Sequence, residues 1–324
     1  MSLNLLRETL PGIDEAVGCV ERRLRAALSD ATPEAKEIFL HLLDGGGKRI
    51  RPLLTLLSAG LFVQDISEVV PVAVAMELIH MATLVHDDVI DVADTRRGRA
   101  TANHIWGNQQ AVLAGDALLA RALCLLAEVG LLEVVRVVSG MIHGMCEGEL
   151  TQNASMGNLA QTEADYFERI EKKTALFFSA CCQAGALVAR ARSEDVEAMG
   201  EYGRLLGLAF QVIDDVLDFT ADAEVLGKPV GSDFVSGIIT LPVIHILRQS
   251  RAQAELSLCL TGSSVSEVIP QVLEIVREHG GVDYSRKVAQ TLVSRAKDRL
   301  PRSDHSDIFD ALIHLADMVL HRTH

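Results

Sequence analysis

From Val69 to Val85 the chain is apolar on most faces, broken by one charged residue, Glu77, and Leu205 to Val216 is nearly as apolar until it reaches Asp214. A helix that is hydrophobic all round cannot lie on a wet surface and has to be enclosed by other elements. Elsewhere Ala and Leu dominate long stretches, apolar positions recur at three and four, and strand-like alternation is hard to find; aromatic residues are only 4%. The expected fold is therefore all-α, a large helical bundle forming a single domain over residues 1–324. No Gly/Ser or Pro-rich linker divides it and no period of 20–50 residues repeats. The spacing predicts helices over 13–29, 34–43, 50–62, 68–92, 108–129, 132–153, 162–190, 194–220, 236–249, 265–279, 282–299 and 306–320. The eight prolines, Pro11, Pro33, Pro52, Pro71, Pro229, Pro242, Pro270 and Pro301, are expected at element starts or breaks.

Each of the two apolar helices ends in acid. His86-Asp87-Asp88-Val89-Ile90-Asp91 puts Asp87 and Asp91 at i and i+4 on one helix face, and Asp214-Asp215-Val216-Leu217-Asp218 repeats the arrangement. A single such pair is most often a solvated helix end. Two copies at the C-terminal ends of apolar helices, where the helix dipole disfavours anions, need another cause. An all-oxygen set of this kind suits a hard divalent cation, and magnesium fits because it takes few carboxylates and completes its shell with waters and substrate phosphates.

The net charge is -14, with 30 Lys plus Arg against 44 Asp plus Glu, so non-specific nucleic-acid binding is not expected. An acidic protein that handles a polyanion needs local cations. Gly45-Gly46-Gly47-Lys48-Arg49-Ile50-Arg51-Pro52 supplies three on a glycine-rich turn before a helix, a reasonable diphosphate cradle that lacks the spacing of a Walker A loop. Arg96-Arg97 follow the first acid motif, Lys172-Lys173-Thr174 sit within a predicted helix, and Gly227-Lys228-Pro229 follow the second motif. Acid and base thus alternate around one expected cavity.

The six cysteines show no CxxC spacing and lie mostly in apolar segments, which fits buried, inert thiols in a reducing cytosol. Residues 1–10 have no signal-peptide core, and the longest uncharged stretch, Thr174 to Ala189, is 16 residues, so no membrane span and a cytoplasmic location are expected.

In this order and spacing, GGGKRIRP, HMATLVHDDVID, TRRG, EKKTALF, FQVIDDVLDF, LGKPVGSD and TLPVI resemble the trans-isoprenyl (polyprenyl) diphosphate synthases of long-chain type, over roughly residues 40–245. The resemblance implies the type I isoprenoid synthase fold, a homodimer, and two acid motifs facing across a central cavity. It assigns Asp87, Asp88, Asp91, Asp214, Asp215 and Asp218 to magnesium, three ions per active site with substrate. It assigns Arg96, Lys173 and Lys228 to the allylic diphosphate, and Lys48, Arg51, His80 and Arg97 to isopentenyl diphosphate. Thr174 and Gln211 line the reaction centre, and Gln152 touches the allylic site. One departure stands out: many relatives carry a second lysine in GKxT before the TLP segment, and this chain has Gly237-Ile238-Ile239-Thr240.

The implied reaction is prenyl transfer. The allylic C–O bond ionises as the diphosphate's charge is stabilised, the double bond of isopentenyl diphosphate attacks the cation, and a proton is lost. The primer is expected to be geranyl or farnesyl diphosphate and the product roughly C30 to C50, a quinone side-chain precursor passed to membrane enzymes. Ala82 and Thr83, about one turn before Asp87, are small where short-chain relatives carry a bulky floor, so the floor is expected deeper, at Leu78 or Ile79 or at Leu119 and Leu123. Other readings are a catalytic subunit needing a partner, a geranylgeranyl or farnesyl synthase, a terpene cyclase, or a di-iron bundle built on Glu77-Leu78-Ile79-His80. The intact second acid motif and the scarcity of aromatics disfavour the cyclase. A di-iron site needs two ExxH copies and only one is present.

Overall fold

In a computed structural model, residues 10–29, 31–96, 98–220, 230–260 and 265–322 are described. The expectations at Arg97 and Lys228 lie outside them.

Among the described residues the chain is helical apart from one two-residue antiparallel pair, β1 (Thr95–Arg96) with β2 (Arg99–Ala100). It divides into two compact units. The first comprises Met1–Ser139, Ala180–Gly200 and Leu300–His314, and the second Gly140–Ser179, Glu201–Arg299 and Leu315–His324.

The first unit is built on α1 (Pro11–Ala27), α2 (Pro33–Asp44), α3 (Ile50–Gly60), α4 (Val70–Ile90), α5 (Ala102–Trp106) and α6 (Asn108–Val129), with a 3-10 turn, Ser67–Val69, before α4. Pro33 starts α2 behind Thr32, whose hydroxyl accepts from the Ala35 amide. The helix α4 is the core: α1, α3 and α6 pack on it, and Val72 to Ile79 are almost without solvent contact. Each large aliphatic side chain so enclosed contributes about 1.5–3 kcal/mol. The segment 67–90 is long and apolar enough to cross a membrane, yet 72% of its most apolar window is buried inside the chain, as its all-round hydrophobicity requires of a core helix.

The second unit takes the C-terminal part of α7 (Leu132–Ala154), then α8 (Glu163–Ile170), a π turn (Glu171–Ala175), the start of α9 (Leu176–Val188), most of α10 (Ser193–Thr220), and α11 (Ser232–Val235), α12 (Leu241–Leu247), α13 (Ser250–Leu260), α14 (Val265–Glu278) and α15 (Gly281–Lys297). The end of α16 (Ser306–Leu320) joins it. Thr162 and Asp165 form a reciprocal capping box that starts α8.

Several expectations change. The single helix predicted over 162–190 carries the π turn, in which the Leu176 amide bonds Glu171 O, five residues back. The helix predicted over 236–249 is shorter, Leu241–Leu247, and α13 follows as a separate element that the polar, weakly periodic 250–260 segment concealed. Pro270 lies inside α14, not at a break. Cys181 and Cys182 are buried, and burial pushes both thiols well above the ordinary range, Cys182 to about 12, whereas Cys124 and Cys146 are exposed. Leu123 is 42% exposed on α6, which removes it as a floor within this chain.

Candidate functional site

In the first unit the acid motif closes α4. Asp87 is half-buried, Asp88 only 4% exposed, and Asp91 exposed at the helix C-cap. The tight turn that follows folds Arg96 back, and its Nε donates to Asp88 Oδ1 at 2.7 Å. Burial drives the Asp88 carboxyl up from its ordinary range and the Arg96 charge pulls against it. Arg96, expected on a diphosphate, thus holds a motif carboxylate through one of its nitrogens.

A cleft beside this pair is lined jointly by Gly45, Gly46, Met81, Asp88, Arg96 and Arg99. The glycine-rich turn, the first acid motif and the arginine hairpin therefore meet. Arg99 was missed in the sequence, although it is the third arginine of the same Arg96-Arg97-Gly98-Arg99 run. Lys48 is exposed, and Arg51 and His80 are half-buried. Arg49 is not part of the cradle: it turns inward, buried against Glu77 and Glu21. A larger groove of the unit, lined by residues of 10–23, 60–70 and 304–308, contains none of the expected site residues.

In the second unit a hydrogen-bonded chain runs through the second motif. Thr174 Oγ1 donates to Gln211 Oε1 at 2.8 Å, Gln211 Nε2 to Asp215 Oδ1 at 2.9 Å, and the fully buried Tyr166 hydroxyl to Asp215 Oδ2 at 2.6 Å. Burial raises the Tyr166 pKa well above normal, which keeps that hydroxyl a donor. Asp215 is pushed up to about 7 by burial and next by the Asp233 charge, while the bonds from Tyr166 and Gln211 oppose the shift. Asp218 accepts from Ser232 Oγ at 3.0 Å and from the Asp233 amide at 3.2 Å, which anchors the chain where it returns to α11. Asp214 is exposed and lies 3.5 Å from Arg322 Nη2, whose guanidinium stacks 3.8 Å over the Phe210 ring.

The π turn presents Lys173 toward α7, where Nζ meets Glu149 Oε2 at 3.0 Å; Gln152 Nε2 donates to the other oxygen of Glu149 at 3.2 Å. This approach needs Gly148, because a Cβ there would stand 2.7 Å from Lys172 Cβ. The expected residues Lys173 and Gln152 are thus brought together by Glu149, while Lys173's sequence neighbour Thr174 belongs to the Asp215 chain. Glu149 and Tyr166 were passed over because a lone acid or a lone tyrosine in a helical stretch carries no signal of its own. Ile238, at the position of the absent lysine, is half-buried.

The donor set agrees with magnesium in chemistry, since both motifs offer only carboxylate oxygen. Among the described residues no three His, Cys, Asp or Glu side chains converge on one metal position.

Asp215 carries a measurable consequence. Between the ordinary carboxylate range and about 7, the folded chain holds a proton that the unfolded chain has released. The contribution of this group to stability therefore falls as pH rises through that window. The metal-free Tm is expected to drop between pH 5 and pH 8, and Asp215→Asn is expected to flatten the drop; an unchanged profile in thermal melts would show that Asp215 is ionised throughout.

The Polyprenyl synthetase family profile matches residues 32–276. The chain is 39% identical to a short chain isoprenyl diphosphate synthase of Methanothermobacter thermautotrophicus, over 94% of this chain and 95% of that one. It is 37% identical to the octaprenyl diphosphate synthase of Haemophilus influenzae, over 94% and 93%. A polyprenyl synthase of Caulobacter crescentus, solved with calcium and isoprenyl diphosphate, superposes with a TM-score of 0.91 at 33% identity, covering 100% of this chain and 98% of that one.

Proposed function

Since the chain belongs to the polyprenyl synthetase family and is a prenyltransferase, we propose that it is a long-chain trans-polyprenyl diphosphate synthase, extending geranyl or farnesyl diphosphate with isopentenyl diphosphate. The observation that carries this reading is the cleft in which the glycine-rich turn, Asp88, Arg96 and Arg99 meet: carboxylate and guanidinium beside exposed backbone, as a metal-bound diphosphate needs. The family match draws on both compact units, which supports treating residues 1–324 as one synthase domain.

In this reading Asp87, Asp88, Asp91, Asp214, Asp215 and Asp218 are the oxygen ligands for magnesium. When bound, the metal stabilises the charge that develops on the departing diphosphate. Lys48, Arg51, His80 and Arg97 hold isopentenyl diphosphate; Arg96, Lys173 and Lys228 hold the allylic diphosphate, with Gln152 beside Lys173 through Glu149. Thr174 and Gln211 present fixed dipoles at the reaction centre, locked by the Tyr166–Asp215 bond.

The two curated relatives, nearly equal in identity, are named for short and for octaprenyl chains, so overall similarity does not choose the product. The assignment to C30 or longer rests on Ala82, 2% exposed, and Thr83, both too small to block a growing tail. A homodimer is supported by α6, whose outer face shows Val112, Leu113, Ala117, Ala120 and Leu123 to solvent. Six cysteines with free thiols support a cytoplasmic location.

The test is incubation of the purified chain with radiolabelled isopentenyl diphosphate, farnesyl diphosphate and magnesium, followed by sizing of the released alcohols. A ladder reaching beyond four isoprene units is expected; absence of magnesium-dependent extension would sink the proposal.

A further inference from the structure

Arg49 sits between two expected diphosphate cations yet points away from them. It is the N-cap of α3 with φ 50° and ψ 37°, a left-handed backbone that costs a non-glycine residue about 1–2 kcal/mol, so something must hold it there. What holds it is charge. Its side chain is 8% exposed; Nη1 donates to Glu77 Oε1 at 2.7 Å on α4, and Nε to Glu21 Oε1 at 2.6 Å on α1. The Glu77 side chain is itself 4% exposed, and so the pair is buried. Breaking one half of such a pair is costly because the remaining charge is left without compensation.

The position of the pair gives it a further role. Lys48 immediately precedes Arg49, Arg51 follows two residues later, and His80 lies one turn along α4 from Glu77, on the same face. Three of the four expected contacts for isopentenyl diphosphate are thus within three residues of one end or the other of a single buried ion pair. We infer that Arg49 and Glu77 are positioning residues: the pair fixes the register of the Lys48–Arg51 turn against His80 and so sets the geometry of the isopentenyl diphosphate site. The left-handed turn directs Arg49 inward while its neighbour Lys48 stays exposed. This rests on reading Lys48, Arg51 and His80 as contacts of isopentenyl diphosphate.

The test is steady-state kinetics with each substrate varied in turn, together with thermal melts. Glu77→Gln keeps the side-chain volume and removes the charge. It is expected to raise the KM for isopentenyl diphosphate about tenfold or more, leaving the KM for farnesyl diphosphate and the rate at saturation within about twofold, because misplacement of the turn weakens one substrate's grip only. Equal changes in both KM values, or none, would overturn the inference. Should that variant fold poorly, Arg49→Met with Glu77→Leu removes both charges together and is expected to recover Tm. A high KM for isopentenyl diphosphate at normal Tm in the double variant supports positioning; a normal KM shows that the pair only stabilises the fold and refutes it. Lys48→Ala separates the two levels of argument. If it leaves the KM for isopentenyl diphosphate unchanged, the substrate assignment of the turn has failed, and this inference with it.

Discussion

Asp87→Ala is expected to lower turnover about 10²- to 10³-fold with the fold intact, because electrostatic stabilisation of a developing charge is worth that much per group removed. Asp214→Ala should behave alike. These two aspartates are the informative choices. Asp87 is half-buried and Asp214 exposed, whereas Asp88 is buried on Arg96, Asp215 accepts from Tyr166 and Gln211, and Asp218 anchors Ser232 and Asp233. Loss of any of the latter three would damage packing as well as chemistry, and a dead variant would say little. The measurement is the rate of isopentenyl diphosphate incorporation against magnesium concentration, with circular dichroism as the control for folding. Folded Asp87→Ala protein at near wild-type turnover would remove the first motif from the metal site.

Ala82→Phe is expected to convert the product distribution from long chains to farnesyl or geranylgeranyl length in an enzyme that still turns over. Ala82 and Thr83 lie five and four residues before Asp87 on α4, about 6–7.5 Å along the helix axis at 1.5 Å per residue. A ring at that depth would meet the tail after one or two additions. Ala82 is buried, so the substitution also crowds its neighbours, at a cost of about 1–3 kcal/mol in stability. Product length is therefore the readout, not activity. An active Ala82→Phe enzyme with unchanged chain length would mean that Ala82 is small because helices meet there, and would leave the long-chain assignment without its physical basis.

What could be read in advance follows from how each signal is carried. The core helix α4 and the acid pairs that end α4 and interrupt α10 were legible because periodicity and i, i+4 spacing are properties of adjacent sequence. The partners of those acids were not: Tyr166 is 49 residues from Asp215, and nothing local distinguishes it from any core tyrosine. Arg49 shows the converse failure. Its sequence context, three glycines and Lys48 before it and Arg51-Pro52 after it, reads as an exposed basic turn, and only a left-handed backbone and two distant glutamates turn it inward. The 250–260 helix was concealed because its buried apolar positions, Ala252 and Leu256, are few and Leu258 faces solvent, which blurs the periodicity.

The π turn at Glu171–Ala175 has a further consequence for how this segment tolerates change. It holds one residue more than a regular turn, and each residue of an α-helix advances the azimuth by about 100°. Tyr166, Arg169 and Ile170 before the insertion and Phe177, Phe178 and Cys181 after it are all buried, so both stretches rely on that phase offset to aim inward. A side-chain replacement at half-buried Lys172 leaves the offset untouched. Deletion of any one residue there restores a uniform helix and rotates one flank out of alignment with the other, so the segment behaves as a fixed-length phase adaptor, intolerant in residue count.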